Sequence, residues 1–386
     1  MVKLGEIFTI SRGGSPRPIQ DYITDSCNGV NWIMIGDTEP NSKYIRHTEK
    51  KIKFEGVKKS RKVYPGDLLL TNSMSFGRPY ILDVEGCIHD GWLVLSPKNN
   101  QIHIDYFYHY LNSPAAKIII SNKAAGAVVK NLNSDIVRNL EIPFPPFAEQ
   151  VRIASTLDKV DGIRQKREQA IKLADDFLRA KFLEMFGTPA NNIHRFPKGT
   201  IRDLVDSVNY GTSAKASIDS GEYPILRMGN ITYQGRWDFT DLKYLDLSVK
   251  EKDKYLVKEG DLLFNRTNSK ELVGKTAVYE EDRPMAFAGY LIRVRPNSIG
   301  NNYYISGYLN SIHGKITLMN MCKSIVGMAN INAQELQNIE ILIPPKHLQD
   351  EYEIIYKKIK KGLSIYDKSA MQLQLLASNL SNKYFM

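Results

Sequence analysis

The chain has 386 residues, 42% of them hydrophobic, enough for two cores of ordinary domain size. Three scattered cysteines, Cys27, Cys87 and Cys322, exclude a disulfide framework or a zinc knuckle and point to a reducing, cytoplasmic setting. The net charge of +10 suggests a polyanionic partner, but no segment carries more than +4 of it, so the excess belongs to folded surface and not to a basic tail.

Residues 1–6 hold no apolar run of signal-peptide length, and no segment approaches the roughly 18 to 20 apolar residues of a membrane span, so no membrane association is expected. Short β-branched and aromatic runs broken by turn signals follow. Residues 4–10 are expected as a strand, then comes the turn Arg12-Gly13-Gly14-Ser15-Pro16-Arg17-Pro18, then a strand around Asn31-Trp32-Ile33. The hairpin-like Val63-Tyr64-Pro65-Gly66-Asp67 leads into Leu68, Leu69 and Leu70, and Trp92-Leu93-Val94-Leu95 is stopped by Pro97. These are the strands of a mixed sheet. Helical spacing appears over residues 106–111 and 115–120, and the segment closes on Pro143-Phe144-Pro145-Pro146.

Residues 147–187 contain no proline and one internal glycine, Gly162, so some 40 residues can run as a single helix of about 60 Å. Ile153, Leu157, Val160, Ile171, Ala174, Leu178 and Met185 recur on a 3/4 alternation interrupted by Arg164, Arg167 and Lys181.

The chain then repeats itself. Gly66-Asp67-Leu68-Leu69 returns as Gly260-Asp261-Leu262-Leu263, and Leu111-Asn112-Ser113 as Leu309-Asn310-Ser311. Asn131-Leu132-Asn133 returns as Asn330-Ile331-Asn332, and Pro145-Pro146 as Pro344-Pro345. A strand is again expected over residues 201–205. The offset lies between 194 and 199 residues, far beyond solenoid periods, so each copy is a whole domain with its connector. The last segment carries Tyr352, Tyr356, Ile359, Leu363, Tyr366, Ala370, Leu373, Ala377, Leu380 and Tyr384 at coiled-coil spacing. The expected architecture is α+β: domain 1–146, helix 147–187, domain 188–345 and helix 346–386, with the two helices packed as an antiparallel coiled coil of pseudo-two-fold symmetry.

In this order of parts the chain resembles the specificity subunits of type I restriction-modification systems. The resemblance rests on the turns Pro65-Gly66-Asp67-Leu68-Leu69-Leu70 and Glu259-Gly260-Asp261-Leu262-Leu263-Phe264, and on Pro145-Pro146-Phe147-Ala148-Glu149-Gln150 at the head of the first long helix. The second copy departs, with Leu348-Gln349 in place of Glu149-Gln150. The resemblance implies two target-recognition domains on double-stranded DNA, and two methyltransferase subunits and restriction subunits as partners. S-adenosylmethionine, ATP and magnesium would sit on those partners, with no cofactor on this chain.

Two segments per copy are suited to DNA. In the first copy they are the glycine loop with Arg12, Ser15 and Arg17, and the stretch after the Gly-Asp turn with Asn72, Ser73, Ser75 and Arg78. In the second they are Tyr210, Thr212, Ser213 and Lys215, and Arg266, Thr267, Asn268 and Lys270. Glycines permit close backbone approach, and amide, hydroxyl and guanidinium groups make phosphate and bidentate base contacts. Gly66-Asp67 and Gly260-Asp261 read as structural turns.

No catalytic or metal-binding constellation is evident. Phe144-Pro145-Pro146-Phe147 has phenylalanine where an adenine methyltransferase needs an amide or carboxylate, and no P-loop occurs. His103 and His109 are six apart, a spacing that does not suit a helical metal pair. The expectation is a non-catalytic DNA-recognition subunit that reads a bipartite site. The alternatives are a self-contained DNA-modifying enzyme and a coiled-coil scaffold.

Overall fold

The computed structural model describes residues 1–39, 42–72, 77–125, 132–322 and 327–385. The chain divides into two compact units, Met1–Lys166 with Ser369–Met386, and Arg167–Lys368.

In the first unit a five-stranded sheet is built from β1 (Phe8–Arg12), β2 (Tyr44–Ile45), β3 (Leu68–Thr71), β4 (Pro79–Leu82) and β5 (Trp92–Pro97), in the order β1-β5-β3-β4-β2. The β2–β4 pair is parallel and the others are antiparallel. Leu68, Leu69 and Leu70 are all fully buried because both faces of β3 are covered. Leu68 and Leu70 pack with Tyr106, Phe107 and Leu111 of α1 (Ile104–Asn112), whereas Leu69 joins Tyr80 and Trp92 toward a second sheet. That sheet contains Ile23–Thr24, Lys50–Ile52, Val30–Ile33, Gly86–Ile88 and Arg61–Val63. α2 (Pro114–Ala125) follows α1 directly.

Three local expectations are corrected. Val63 and Leu68 do not form a hairpin: Val63 pairs with Gly86 in one sheet, and Leu68 with Ile81 and Leu95 in the other. The Gly66 turn, at φ +90°, carries the chain between sheets, and Asp67 holds it by accepting from the Tyr64 N–H at 2.8 Å and the Ser96 hydroxyl at 2.5 Å. Nor is residues 4–10 one strand. Leu4–Ile7 is a helical turn that buries Leu4 and Ile7, three residues apart, on one side, and the strand starts only at Phe8. Ile201–Leu204 is likewise a 3₁₀ turn and not the start of a strand, with Ile201 and Leu204 both buried.

The second unit repeats the plan with β6 (Val205–Tyr210), β7 (Leu262–Asn265), β8 (Thr276–Val278) and β9 (Leu291–Pro296), ordered β6-β9-β7-β8. Leu262 and Phe264 pack beneath α4 (Asn302–Asn310), while Leu263 packs with Phe287 of a second sheet, which contains Lys243–Leu245, Tyr223–Leu226, Met285–Phe287 and Leu256–Val257. α5 (Ile312–Met321) takes the place of α2. The repeated Leu-Asn and Ile-Asn pairs have a physical cause. Asn133 accepts from the Ile136 N–H and Asn332 from the Gln334 and Glu335 N–H groups, each capping a short helix.

The two long helices are α3 (Phe147–Phe186) and α6 (Lys346–Phe385). In the first unit Ile153 and Leu157 of α3 share a core with Phe385, Leu380 and Tyr384 of α6. In the second, Phe182 of α3 stacks on Tyr304 of α4, Phe186 meets Tyr304 edge to face, and both phenylalanines meet Tyr352 of α6 edge to face.

Candidate nucleic-acid interface

In both units the glycine loop is threaded past the strand that precedes the last sheet strand. The Gly13 N–H donates to Trp92 O at 2.9 Å and the Gly211 N–H to Leu291 O at 3.3 Å, equivalent bonds at equivalent positions. A Cβ on Gly13 would lie 2.0 Å from His89 O, and one on Gly211 2.3 Å from Phe287 O, so both positions require glycine by proximity alone. The post-turn segment is held in the same manner, with Asn72 N–H to Gly91 O and Arg266 N–H to Tyr290 O, both 3.0 Å. The two candidate segments of each copy thus meet on a third, residues 89–91 or 288–290.

In the first unit the meeting point is Asp90. Arg12 Nε donates to its backbone carbonyl at 3.0 Å, Ser15 Oγ to its carboxylate at 2.8 Å, and the largely exposed Arg17 guanidinium lies 3.7 Å away. Asn72 is buried, and its amide donates inward to the Asp90 carbonyl at 2.6 Å. The Ser15 hydroxyl, against the opposing effect of partial burial, holds the Asp90 carboxyl below its usual range, so it stays ionised. Beside it Ser15, Arg17, Trp32, His89 and Asp90 line a cavity of ≈ 690 Å³, in which burial pushes the His89 pKa down. The site therefore offers guanidinium donors suited to guanine or phosphate, and a carboxylate acceptor suited to the cytosine amine. Arg78 lies 5.2 Å over the Tyr80 ring, while Ser73 and Ser75 lie outside the described residues.

In the second unit the Arg266 guanidinium sits 4.9 Å over the Tyr210 ring and joins the two loops. The Tyr210 hydroxyl accepts from the Ala333 N–H, and Thr267 Oγ1 donates to Asn330 Oδ1 at 3.0 Å. Thr212 is buried, its hydroxyl accepting from the Ala214 N–H, and Asn268 accepts from the Ser269 N–H. Ser213, Lys215 and Lys270 are exposed. Asp90 was missed in sequence. Its only signal was its place directly before Gly91-Trp92, at the entry to the last sheet strand.

The histidines singled out in sequence are structural. His109 is buried with Nε2 2.7 Å from Asp158, and His103 precedes the first turn of α1. Among the described residues no group of three or more His, Cys, Asp or Glu side chains is placed to hold a metal ion. Nor is any helix among them long and apolar enough to cross a membrane.

The family model for the type I restriction modification DNA specificity domain matches this chain twice, over residues 1–173 and 196–377. The chain belongs to this family. The specificity subunit of the type I restriction enzyme EcoKI from Escherichia coli K12 is 24% identical over 348 residues, covering 84% of this chain and 74% of that subunit. The StySPI specificity subunit of Salmonella potsdam is 26% identical over 324 residues, 78% of this chain and 68% of its own. The crystal structure of a type I system S subunit from M. genitalium shares the fold, with a TM-score of 0.61 over 100% of this chain and 95% of that one, at 15% identity. The first of the two matches takes in the loop cluster of the first unit, and the second that of the second unit.

Proposed function

We propose that this chain is the DNA-recognition subunit of a type I restriction-modification complex, that each unit reads one half of a bipartite, asymmetric site, and that the chain itself performs no catalysis. The observation that carries this reading is the construction of the two loop clusters. Their backbone bonds are equivalent, yet their side chains differ: Arg12, Ser15, Arg17 and Asp90 in one, Tyr210, Ser213, Lys215 and Arg266 in the other. A common frame with different donors and acceptors is suited to two unlike half-sites. The two long helices, packed antiparallel, act as a spacer that sets the distance between them. The partners are two methyltransferase subunits, which bring S-adenosylmethionine and modify adenine, and restriction subunits, which use ATP and magnesium. The complex acts in the cytoplasm.

The test is genome-wide mapping of N6-methyladenine in cells making the chain with its methyltransferase partner, against cells lacking the chain. A split motif present only with the chain supports the reading. An unchanged methylome with the partner expressed would favour a scaffold.

A further inference from the structure

One lysine recurs at the same place in both halves while the loops around it change. Lys117 of α2 and Lys315 of α5 stand 198 residues apart, each four residues after the repeated Leu-Asn-Ser. In the second unit Lys315 lines a cavity of ≈ 440 Å³ together with Arg179, Lys270 and Glu271, against an apolar wall that includes Leu272 and Ile316. Its Nζ is buried with no hydrogen-bond partner among the described residues and lies 4.9 Å from the centre of the Tyr233 ring. Burial, reinforced by Arg179 and Lys275, pushes its pKa down to about 8. In the first unit Lys117 is exposed and donates to Asn112 Oδ1 at 3.0 Å, and partial desolvation with Arg78 nearby lowers its pKa.

A buried ammonium with no hydrogen-bond partner among the described residues is a site awaiting an anion, because an arriving negative charge offsets the desolvation penalty that the free protein carries. Three cations and one carboxylate line this cavity, so its charge is net positive. The bases of two unlike half-sites differ, but the sugar-phosphate backbone is common to both. A residue repeated at one helix position in both units therefore fits the shared part of the ligand.

We propose that Lys315 and Lys117 each bind one backbone phosphate of duplex DNA, one per half-site, and so fix the register of the recognition loops over the bases. This rests on the DNA-recognition reading above.

The experiment measures the affinity of the complex of the full chain with its methyltransferase partner for a random-sequence duplex over a range of NaCl concentrations. Removing one lysine–phosphate pair lowers the slope of log K against log salt by about 0.9. Lys315→Gln is expected to lower it by about 0.9 and Lys117→Gln/Lys315→Gln by about 1.8, whatever the duplex sequence, while Lys315→Arg keeps the wild-type slope. Because Lys315→Gln removes a buried, unpaired charge, its melting temperature should equal or exceed that of the wild type. Salt-dependent DNA binding by the wild-type complex with unchanged slopes in both glutamine variants overturns this proposal alone. Absence of any salt-dependent DNA binding by the wild-type complex overturns it together with the reading it rests on.

Discussion

Gln150 and Gln349, 199 residues apart, are both fully buried, and each donates from Nε2 to the carbonyl of the proline five residues before it, Pro145 at 2.9 Å and Pro344 at 2.8 Å. Each also reaches the domain ahead of it, Gln150 through Gln101 O and the His103 N–H, Gln349 through Ile299 O. The glutamine after the double proline thus buckles each long helix to its own unit. Glu149, its neighbour in sequence, points outward to Arg152, so the Leu348 of the second copy leaves the buckle intact.

The two buckles differ in one bond. Gln150 Oε1 accepts from the His103 N–H, while Gln349 Oε1 has no partner among the described residues. Orphaning a buried polar group costs about 1–3 kcal/mol, so Gln150→Leu should destabilise by about 3 kcal/mol and Gln349→Leu by about 2. Chemical denaturation of the two variants measures the difference.

A second contrast lies further along the helices. Asp158 and Asp161 on α3 face Lys43 and His109, with Lys43 Nζ 2.6 Å and His109 Nε2 2.7 Å from Asp158. At the corresponding positions α6 carries Lys357 and Lys360, and Lys360 pairs with Glu280. The charge of each joint is reversed, so the helix faces are not interchangeable. Asp158→Asn should cost about 1 kcal/mol, because Asp158 is still 42% exposed and water screens the pair, and Asp158→Lys/Asp161→Lys about 2 or more. The pH dependence follows from both partners. Burial raises the Asp158 pKa, but hydrogen bonds from His109 and Lys43 outweigh it and hold it low, so its contribution is present above about pH 3.9 and is lost as pH falls through the depressed value. Burial lowers the Lys43 pKa, but Asp105 and Asp158 outweigh it and raise it, so its contribution is present below about pH 10.4 and is lost as pH rises through the raised value. The difference in stability between wild type and Asp158→Asn should therefore be constant near neutrality and shrink below pH 4 in acid titrations.

Gly66 and Gly260 isolate a backbone effect. Their φ angles are +90° and +87°, and a Cβ at either would meet nothing within 4 Å. Alanine at each should cost only the left-handed strain, about 1–2 kcal/mol and equal at the two sites, read from the denaturation midpoints of the single variants.

The division of the chain was legible because tandem copies share cap and turn residues whose chemistry is local. The Gly-Asp turns and the Asn133 and Asn332 caps announce themselves within a few residues. The partition of strands between two sheets was not legible, since Val63 and Leu68 look like hairpin arms and only their distant partners, Gly86 and Leu95, separate them. The periodicity named Met185 and Tyr384, whereas Phe182, Phe186 and Phe385 are the residues fully or almost fully buried, because each helix end packs on a domain as well as on a helix and needs a wider apolar face. Arg12, Ser15, Arg17 and Asn72 were recognisable as a set by residue type. That they converge on Asp90 depends on a close approach of three chain segments, Asp90 lying 78 residues from Arg12, 75 from Ser15 and 18 from Asn72, which no local pattern encodes.

Each unit is proposed to read its own half-site. The most direct test is methylome mapping with Arg12→Ala/Arg17→Ala in one strain and Arg266→Ala/Lys270→Ala in another. Removing a bidentate hydrogen-bond pair to a base relaxes discrimination at its position by about 1–3 kcal/mol, so each pair of substitutions should loosen or erase one half of the split motif and leave the other intact. Both variants degrading the same half, or both halves together, would contradict the account.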